Sequence, residues 1–405
     1  MKKRISLVLV SVLLLFFAVS ATETSTLEPL PKIKVKHVKQ EKADALGKEL
    51  LVEGSNVKKL LKKGANANVL ISEVGDETPF MTALSRGDFA TADLMIAAGT
   101  DINYRTQSDS IPLIAYYLEQ NKADIATYLY YRGAALPDPT ESFSSMNFPG
   151  LVASAGALEI LKGLQKGGED ILQLYRIQKG DTVATYTLLA FAVFGDQKDT
   201  LSKESIDLIR YLIEQKINVN APLTMTVRGG DSLSATALTL AAMAGEEEVI
   251  ELLLKAGADL NSATTVVEQG HTMIFDLSVI PILNSNYALL KQLIQGGASP
   301  NGKVIMKQGN KIIASIPLMV YAVSLANIEV VTLLNTAKAS LDQELISNPA
   351  LGIQTQATTV IGYIAESKNS DIQKIFSKEI ADYTQRQSTL IESDSSVQNS
   401  TESGN

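Results

Sequence analysis

The sequence predicts an all-α repeat solenoid, in which stacked helix-turn-helix units carry several extended β-hairpin fingers. Three observations along the 405 residues lead to this prediction. A leucine-rich phrase that ends in a glycine turn recurs, and a second phrase rich in Thr, Pro, Leu and Ala lies between its copies. In the later copies, β-branched runs flank Gly-Asp, Gly-His or Gly-Asn pairs, which are typical of hairpin turns.

The clearest leucine-rich phrase is EEEVIELLLKAGADLN, which runs from Glu246 to Asn261. Its three glutamates fall in the first turn of a helix, where carboxylates are stabilised by the positive end of the helix dipole. Gly257 follows the last helical turn, where a left-handed residue is needed and glycine adopts that conformation freely. A helix of about two to three turns is too short to be stable alone, so it must pack on a neighbour.

Other copies of this phrase lie before and after it, and some of them are degenerate. The residues at the turn of each copy are, in order, Gly64, Gly99, Gly133, Gly167, Lys216, Gly257, Gly297 and Ala337. The second phrase begins at Thr78, Ile111, Thr236 and Ile316. It predicts a first helix, because proline is tolerated in the first helical turn. The two phrases together predict a pair of helices that is repeated along the chain.

This pattern resembles the ankyrin repeat, a unit of about 33 residues formed by a β-turn and two helices. Thr236–Asn261 is the copy that carries the resemblance most clearly. The resemblance implies that residues 42–384 form about eight to nine repeats, with degenerate central ones, in one elongated and curved domain. Because each unit cannot bury its own apolar face, the stability of such a domain comes from stacking between neighbours.

The later repeats are longer than those of the family. Successive turns from Gly167 onward are 49, 41, 40 and 40 residues apart, and the added residues fall between one exit turn and the next first helix. These four additions predict hairpins that project side by side from one edge, with irregular loops as the alternative. The hairpins either form a binding surface or only lengthen the stack.

Both ends of the chain differ in composition from the repeats. Residues 1–21 combine a basic start, a run of 16 uncharged residues (5–20) and a small-residue end, and they predict a signal peptide cleaved after about Ala21. A retained anchor is the alternative. Residues 22–41 are predicted to be a basic linker, and residues 385–405 a disordered polar tail. The lysines Lys32, Lys34, Lys36, Lys39 and Lys42 could alternatively form a basic arm on anionic lipid.

Composition and motifs argue against several classes of function. The chain has 36 basic and 44 acidic residues and a net charge of −8, which argues against general binding of nucleic acid. It has no cysteine and two histidines, and no catalytic or phosphate-binding motif is recognisable. We therefore expect no enzyme activity, no cofactor and no metal site.

The resemblance implies a scaffold that binds another protein. We expect a non-enzymatic, exported, bacterial, monomeric protein of the periplasm or the secreted fraction, which contacts its partner through its concave face and its fingers. An envelope or secreted effector that acts at a membrane or host surface is the alternative. The candidate partner-binding residues are Arg228, Asp231, Glu268, His271, Lys307 and Asn310 near the finger tips, together with Tyr131. Tyr131 occupies the position of Lys255 in the clearest repeat and is expected to be exposed.

Overall fold

The computed structural model describes residues 28–52, 55–71, 77–143, 146–195 and 201–402. These residues form two compact units. The N-terminal unit comprises the described residues up to 177 together with residues 187–217, and the C-terminal unit comprises residues 178–186 and 218–402. The predicted signal peptide, residues 1–21, lies outside the described residues.

The N-terminal unit consists of short antiparallel helix pairs. Its helices are α1 (Gln40–Lys48), α2 (Val57–Lys62), α3 (Pro79–Ser85), α4 (Phe89–Ala97), α5 (Leu113–Glu119), α6 (Ala123–Tyr131), α7 (Phe148–Ser154), α8 (Leu158–Lys166), α9 (Leu188–Phe194) and α10 (Lys203–Glu214). A two-residue pair of strands, β1 (Ser142–Phe143) and β2 (Met146–Asn147), precedes α7.

The C-terminal unit continues the helix pairs. Its helices are α11 (Ala237–Ala244), α12 (Glu247–Lys255), α13 (Val279–Leu283), α14 (Tyr287–Gln295), α15 (Leu318–Ser324), α16 (Ile328–Thr336), α17 (Val360–Glu366), α18 (Ser370–Ile375) and α19 (Ser377–Glu402), with a short 3-10 turn at Pro349–Leu351. In the clearest repeat, α11 packs against α12, and Leu253 is fully buried between them and their neighbours.

The helix pairs begin where the sequence places capping residues. Thr236 caps α11, because its hydroxyl accepts a hydrogen bond from the amide of Thr239, and Thr78 caps α3 in the same way. The second helix of a pair often begins with Asp or Asn instead, as at Asp88 and Asn286. Such caps satisfy amides that a helix cannot pair internally.

The exit turns require a left-handed residue. Gly64, Gly99, Gly133, Gly257 and Gly297 have φ angles between 85° and 105°. Lys216 takes the same place with φ of 69°, so its repeat keeps the turn without glycine. At two degenerate copies the predicted turn moves by one residue, to Gly168 with φ of 101° and to Lys338 with φ of 62°.

The asparagine that ends five of the eight phrases has a structural role that the sequence did not predict. Its side-chain oxygen accepts a hydrogen bond from a backbone amide in the following repeat. The pairs are Asn68 with Asp101 at 2.9 Å, Asn103 with Ala135 at 2.8 Å, Asn220 with Asp259 at 2.8 Å, Asn261 with Ser299 at 2.9 Å, and Asn301 with Ser340 at 2.7 Å. Within each unit, successive turns are therefore joined directly.

The prediction of an all-α fold is wrong. Besides their helices, the described residues contain a large antiparallel sheet of eight strands. The strands are β3 (Tyr175–Lys179), β4 (Thr182–Tyr186), β5 (Leu223–Val227), β6 (Ser232–Ala235), β7 (Ala263–Glu268), β8 (His271–Asp276), β9 (Lys303–Gln308) and β10 (Lys311–Pro317). Their spatial order is β10-β9-β8-β7-β6-β5-β4-β3.

The predicted fingers are present as hairpins, but they are not separate. A lone hairpin leaves unpaired N–H and C=O groups along both edges. Here β4 pairs with β5, β6 with β7 and β8 with β9, so neighbouring hairpins satisfy each other's edges. The fold therefore combines helix pairs with one continuous sheet.

Two terminal segments also differ from their sequence predictions. Residues 28–39, predicted to belong to a linker, lie extended and pack on the N-terminal unit. The tail, predicted to be disordered from residue 385, continues in α19 as far as Glu402. No glycine or proline interrupts residues 377–402, and hydroxyls such as Thr384 Oγ1 donate to carbonyls one turn earlier instead of ending the helix.

Candidate functional site

The sheet packs on the helices of the C-terminal unit through one end of each strand. There, one side chain from each of β4 to β10 is almost completely buried. These side chains are Tyr186, Leu223, Ala235, Thr264, Phe275, Val304 and Ile316. They form the base of the sheet and continue the helical core.

Two residues farther from the helices, on the same face, five apolar side chains form what we call the apolar row. Its members are Met225, Leu233, Val266, Met273 and Met306. Each is the direct cross-strand partner of the next. All five are half-buried, because they lie beyond the fully covered base.

The opposite face of the sheet has a different chemistry. Side chains alternate between faces along a strand, so the neighbours of the apolar row point the other way. Thr224, Ser234 and Thr265 are direct partners on that face. The same row continues through Ile274 and Ile305. The sheet therefore presents apolar side chains on the face that is buried at its base, while the other face, which we call the hydroxyl face, carries hydroxyl groups on β5 to β7 and isoleucines on β8 and β9.

The tips of neighbouring hairpins are tied together by polar contacts. The amide of Arg228 donates to the carbonyl of Asp181 at 2.8 Å, and its guanidinium lies 3.5 Å from the Asp181 carboxylate. The amide of Gln269 donates to Asp231 Oδ1 at 2.9 Å. Both charged side chains of the ion pair are largely exposed, so this pair contributes at most about 1 kcal/mol. The tips are thus aligned by backbone and side-chain contacts together.

The structure brings the six predicted finger residues to the distal end of one sheet. Glu268 and His271 are direct partners beside the β7–β8 turn, on the face of the apolar row. Lys307 pairs with Thr272 and lies on the hydroxyl face, and Asn310 lies in the β9–β10 turn. Arg228 and Asp231 also contact neighbouring hairpins. Whether any of the six binds a partner stays a prediction.

Tyr131 belongs to the N-terminal unit and not to the sheet. It is 49% exposed at the end of α6, as its alignment with Lys255 predicts. Its hydroxyl donates to Glu159 Oε2 at 3.0 Å. Partial burial, and then the neighbouring Glu159 carboxylate, raise the pKa of Tyr131 to about 12. This tyrosine therefore has a partner within its own unit.

The apolar row was missed by the sequence prediction, although a signal for it exists. Four of its five members lie three positions from the nearest residue of a hairpin turn, as Met273 does from Gly270, and Leu233 lies two positions from Asp231. Because these separations along the sequence are similar, the five residues fall in one row when the hairpins pair side by side in register. The prediction treated the hairpins as separate fingers, so it could not align them.

Among the residues with described positions, no three His, Asp or Glu side chains come close enough together to hold a metal ion. Within the same part of the chain, no helix is both long enough and apolar enough to cross a membrane.

Comparison with known proteins identifies the repeated unit. A family model described as ankyrin repeats, in three copies, matches residues 151–264. This match includes the clearest copy of the phrase and confirms the resemblance. No curated protein matches the chain.

Proposed function

We propose that this ankyrin-repeat protein is a non-enzymatic, exported scaffold that binds another protein through its hairpin sheet. Ankyrin repeats generally mediate protein–protein interaction and are typically not catalytic. Within this fold the sheet is the added element, since it is formed by the residues that exceed the usual repeat length. Surface segments added to a rigid scaffold commonly carry function.

The apolar row is the observation that carries this proposal. An antiparallel sheet usually covers one face and leaves the other solvated and polar. In this protein the apolar face continues beyond the covered base, so Met225, Met273 and Met306 remain partly accessible. Methionine is flexible and polarisable and adapts to irregular partner surfaces. A partner that covers the row would remove apolar surface from water, at about 25 cal/mol per Å².

The charged tips suit the rim of such an interface. Glu268 and His271 lie at the end of the same face, and Arg228 and Asp231 lie on the next hairpin. Interfaces between proteins typically have an apolar centre and a polar rim. The partner would therefore contact the apolar row at its centre and the tips at its edge.

Export is the second part of the proposal. It is supported by the order of a basic start, the uncharged run Ile5–Ser20 and the small residues up to Ala21. This order directs the chain to the periplasm or the medium, where we propose that it acts as a monomer.

A photo-crosslinking side chain placed at either of two adjacent positions tests the site. At Met273 it points from the apolar face, and at Thr272, the matched control, from the hydroxyl face of the same strand. We expect a crosslinked protein adduct from position 273 and none from position 272. A further variant, Met273→Glu, should fold but weaken partner capture at least about tenfold, or about 1.4 kcal/mol.

Two results would contradict the proposed site. One is equal crosslinking from both faces. The other is a Met273→Glu variant that keeps the parent's circular dichroism and captures the partner with unchanged affinity. The second result would place the interface on the helices.

A further inference from the structure

The N-terminal end of the described chain carries a second surface of distinct chemistry. Residues 28–39, which we call the strap, lie extended on the N-terminal unit. Four apolar side chains from its residue 31 onward are half-buried against that unit; they are Pro31, Ile33, Val35 and Val38. Its lysines are exposed; they are Lys32, Lys34, Lys36 and Lys39. The alternation holds one side of the strap against the protein and presents the other, basic side to solvent.

Contacts with two helices hold the strap in place. The amide of Lys36 donates to the carbonyl of Lys62 at the end of α2, at 3.1 Å. Arg132 Nη1 donates to the carbonyl of Glu28 at 2.6 Å. Gly64 packs so closely that a methyl group there would overlap the carbonyl oxygen of Lys36. The strap is therefore a packed part of the unit, not a free linker.

The strap brings its lysines beside a second group of lysines on α2. We define the basic patch as Lys32, Lys34, Lys36 and Lys39 of the strap with Lys58, Lys59, Lys62 and Lys63 of the helix. All eight are exposed, and none forms an ion pair with a residue whose position is described. The sequence prediction considered the strap lysines alone, because only the fold shows that α2 lies beside them.

The charge of this segment is opposite to that of the remaining chain. Residues 28–64 contain ten lysines and five acidic residues, a net charge of +5. The whole chain carries −8, so the remaining residues carry −13. Lysines in the last turn of a helix are favoured by the helix dipole, which explains Lys59 and Lys62. It does not explain why the strap adds further positive charge beside them, where like charges repel.

We propose that the basic patch binds an anionic lipid surface. Clusters of four to eight Lys or Arg bind anionic membranes, with about 1 kcal/mol from each residue near the surface. The patch also follows the uncharged run Ile5–Ser20 closely. Only residues 21–27 separate them, and seven residues extend at most roughly 25 Å. While that run lies in the bilayer during export, before its cleavage, the strap is within reach of the headgroups.

A nucleic acid is the less suitable partner. Binding along a nucleic acid depends on many contacts to phosphate, and the charge of −13 on the remaining chain would oppose an extended polyanion. A planar lipid surface would contact only the basic patch. The patch would hold the exported chain at the membrane while the hairpin sheet stays available for a protein partner.

Vesicle sedimentation with the full chain tests this proposal. Vesicles of equal parts phosphatidylglycerol and phosphatidylcholine are compared with vesicles of phosphatidylcholine alone, at low ionic strength. The test variant changes Lys32, Lys34, Lys36 and Lys39 to Gln. The matched control changes four exposed lysines elsewhere, namely Lys203, Lys291, Lys368 and Lys378, to Gln. Both variants lose the same charge, and circular dichroism verifies that both fold.

We expect the parent and the control variant to bind anionic vesicles, and the strap variant to bind at least about tenfold less tightly. Near-molar salt should remove this binding, because it screens exposed charges. Insertion of the uncharged run would instead be equal in both kinds of vesicle and insensitive to salt.

Three results would overturn the proposal. They are equal binding to anionic and neutral vesicles, an equal loss in both variants, and binding to short single-stranded RNA without binding to anionic vesicles. The assay contains no protein partner, so its failure is independent of the proposed protein-binding function.

Discussion

At the scale of single residues, the exit turn of each repeat shows how one backbone angle shapes the sequence. Glycine occupies the left-handed position in most repeats, because its missing Cβ removes the clash that other residues experience. Lys216 and Lys338 occupy the same position with φ of 69° and 62°. These two lysines are held in a strained conformation by the packing of their repeats.

Replacing Lys216 with glycine should therefore stabilise the protein. We expect Lys216→Gly to raise the free energy of unfolding in urea by about 1 kcal/mol, because it removes the left-handed strain. The matched control is Lys291→Gly, in the middle of α14, which should lower the free energy by about 1 kcal/mol. If both variants are destabilised, the strain at Lys216 is not real.

At the scale of elements, helices and hairpins are each too small to be stable alone. A two-stranded hairpin is marginal in water, and helices of six to nine residues, such as α2 and α12, are below the length that is stable in isolation. Each element is stabilised by its counterpart in the neighbouring repeat. The asparagine that ends five of the eight phrases makes one of these links, as Asn261 does to the amide of Ser299.

Removing one of these links should weaken the stack by a small, measurable amount. We expect Asn261→Ala to lower the free energy of unfolding by about 1 kcal/mol, because the Ser299 amide loses its acceptor. Asn335→Ala is the control, since Asn335 is an exposed residue of α16 whose side chain has no hydrogen bond to a described residue. Equal melting of the Asn261 variant and the parent in urea would show that this bond contributes nothing.

At the scale of the whole molecule, charge and hydropathy are distributed unevenly along the chain. The uncharged run comes first, the lysine-rich strap follows, and the acidic remainder contains the repeats. This order suits a chain that is directed to a membrane by its first residues and exposes its repeats beyond it. The hairpin sheet and the basic patch would then serve two different partners.

Export can be tested with the first residues alone. We expect a fusion of residues 1–30 to a reporter that is active only outside the cytoplasm to be exported and shortened after about Ala21, because the run and its small-residue end match a cleavable signal. The control fusion carries Leu14→Arg, which places a charge within the uncharged run and should block export. N-terminal sequencing that finds Met1 or Lys2 on the exported product would indicate a retained anchor instead.

The sequence by itself determined the local structure. Leucine periodicity, the phrases rich in Thr, Pro, Leu and Ala, and the glycine at Gly257 predicted the helix pairs and their turns, since these features depend on neighbouring residues. The β-branched runs around Gly180, Gly270 and Gly309 likewise predicted the hairpins. Two degenerate copies were misplaced by a residue, because Gly167 and Gly168 are both glycines and because Lys338 lacks the chemical signature of a left-handed position.

Only the tertiary structure decided how these elements meet. Pairing between hairpins joins residues about 30 to 45 positions apart, such as Leu233 and Val266, and no local pattern encodes that register. The apolar row, the contacts of Arg228 and Asp231 with neighbouring hairpins, and the placement of the strap beside α2 all depend on such distant contacts. Strand edges become paired and apolar side chains become covered only when the whole stack forms. The sequence alone therefore predicted fingers and a linker where the folded protein has a sheet and a basic patch.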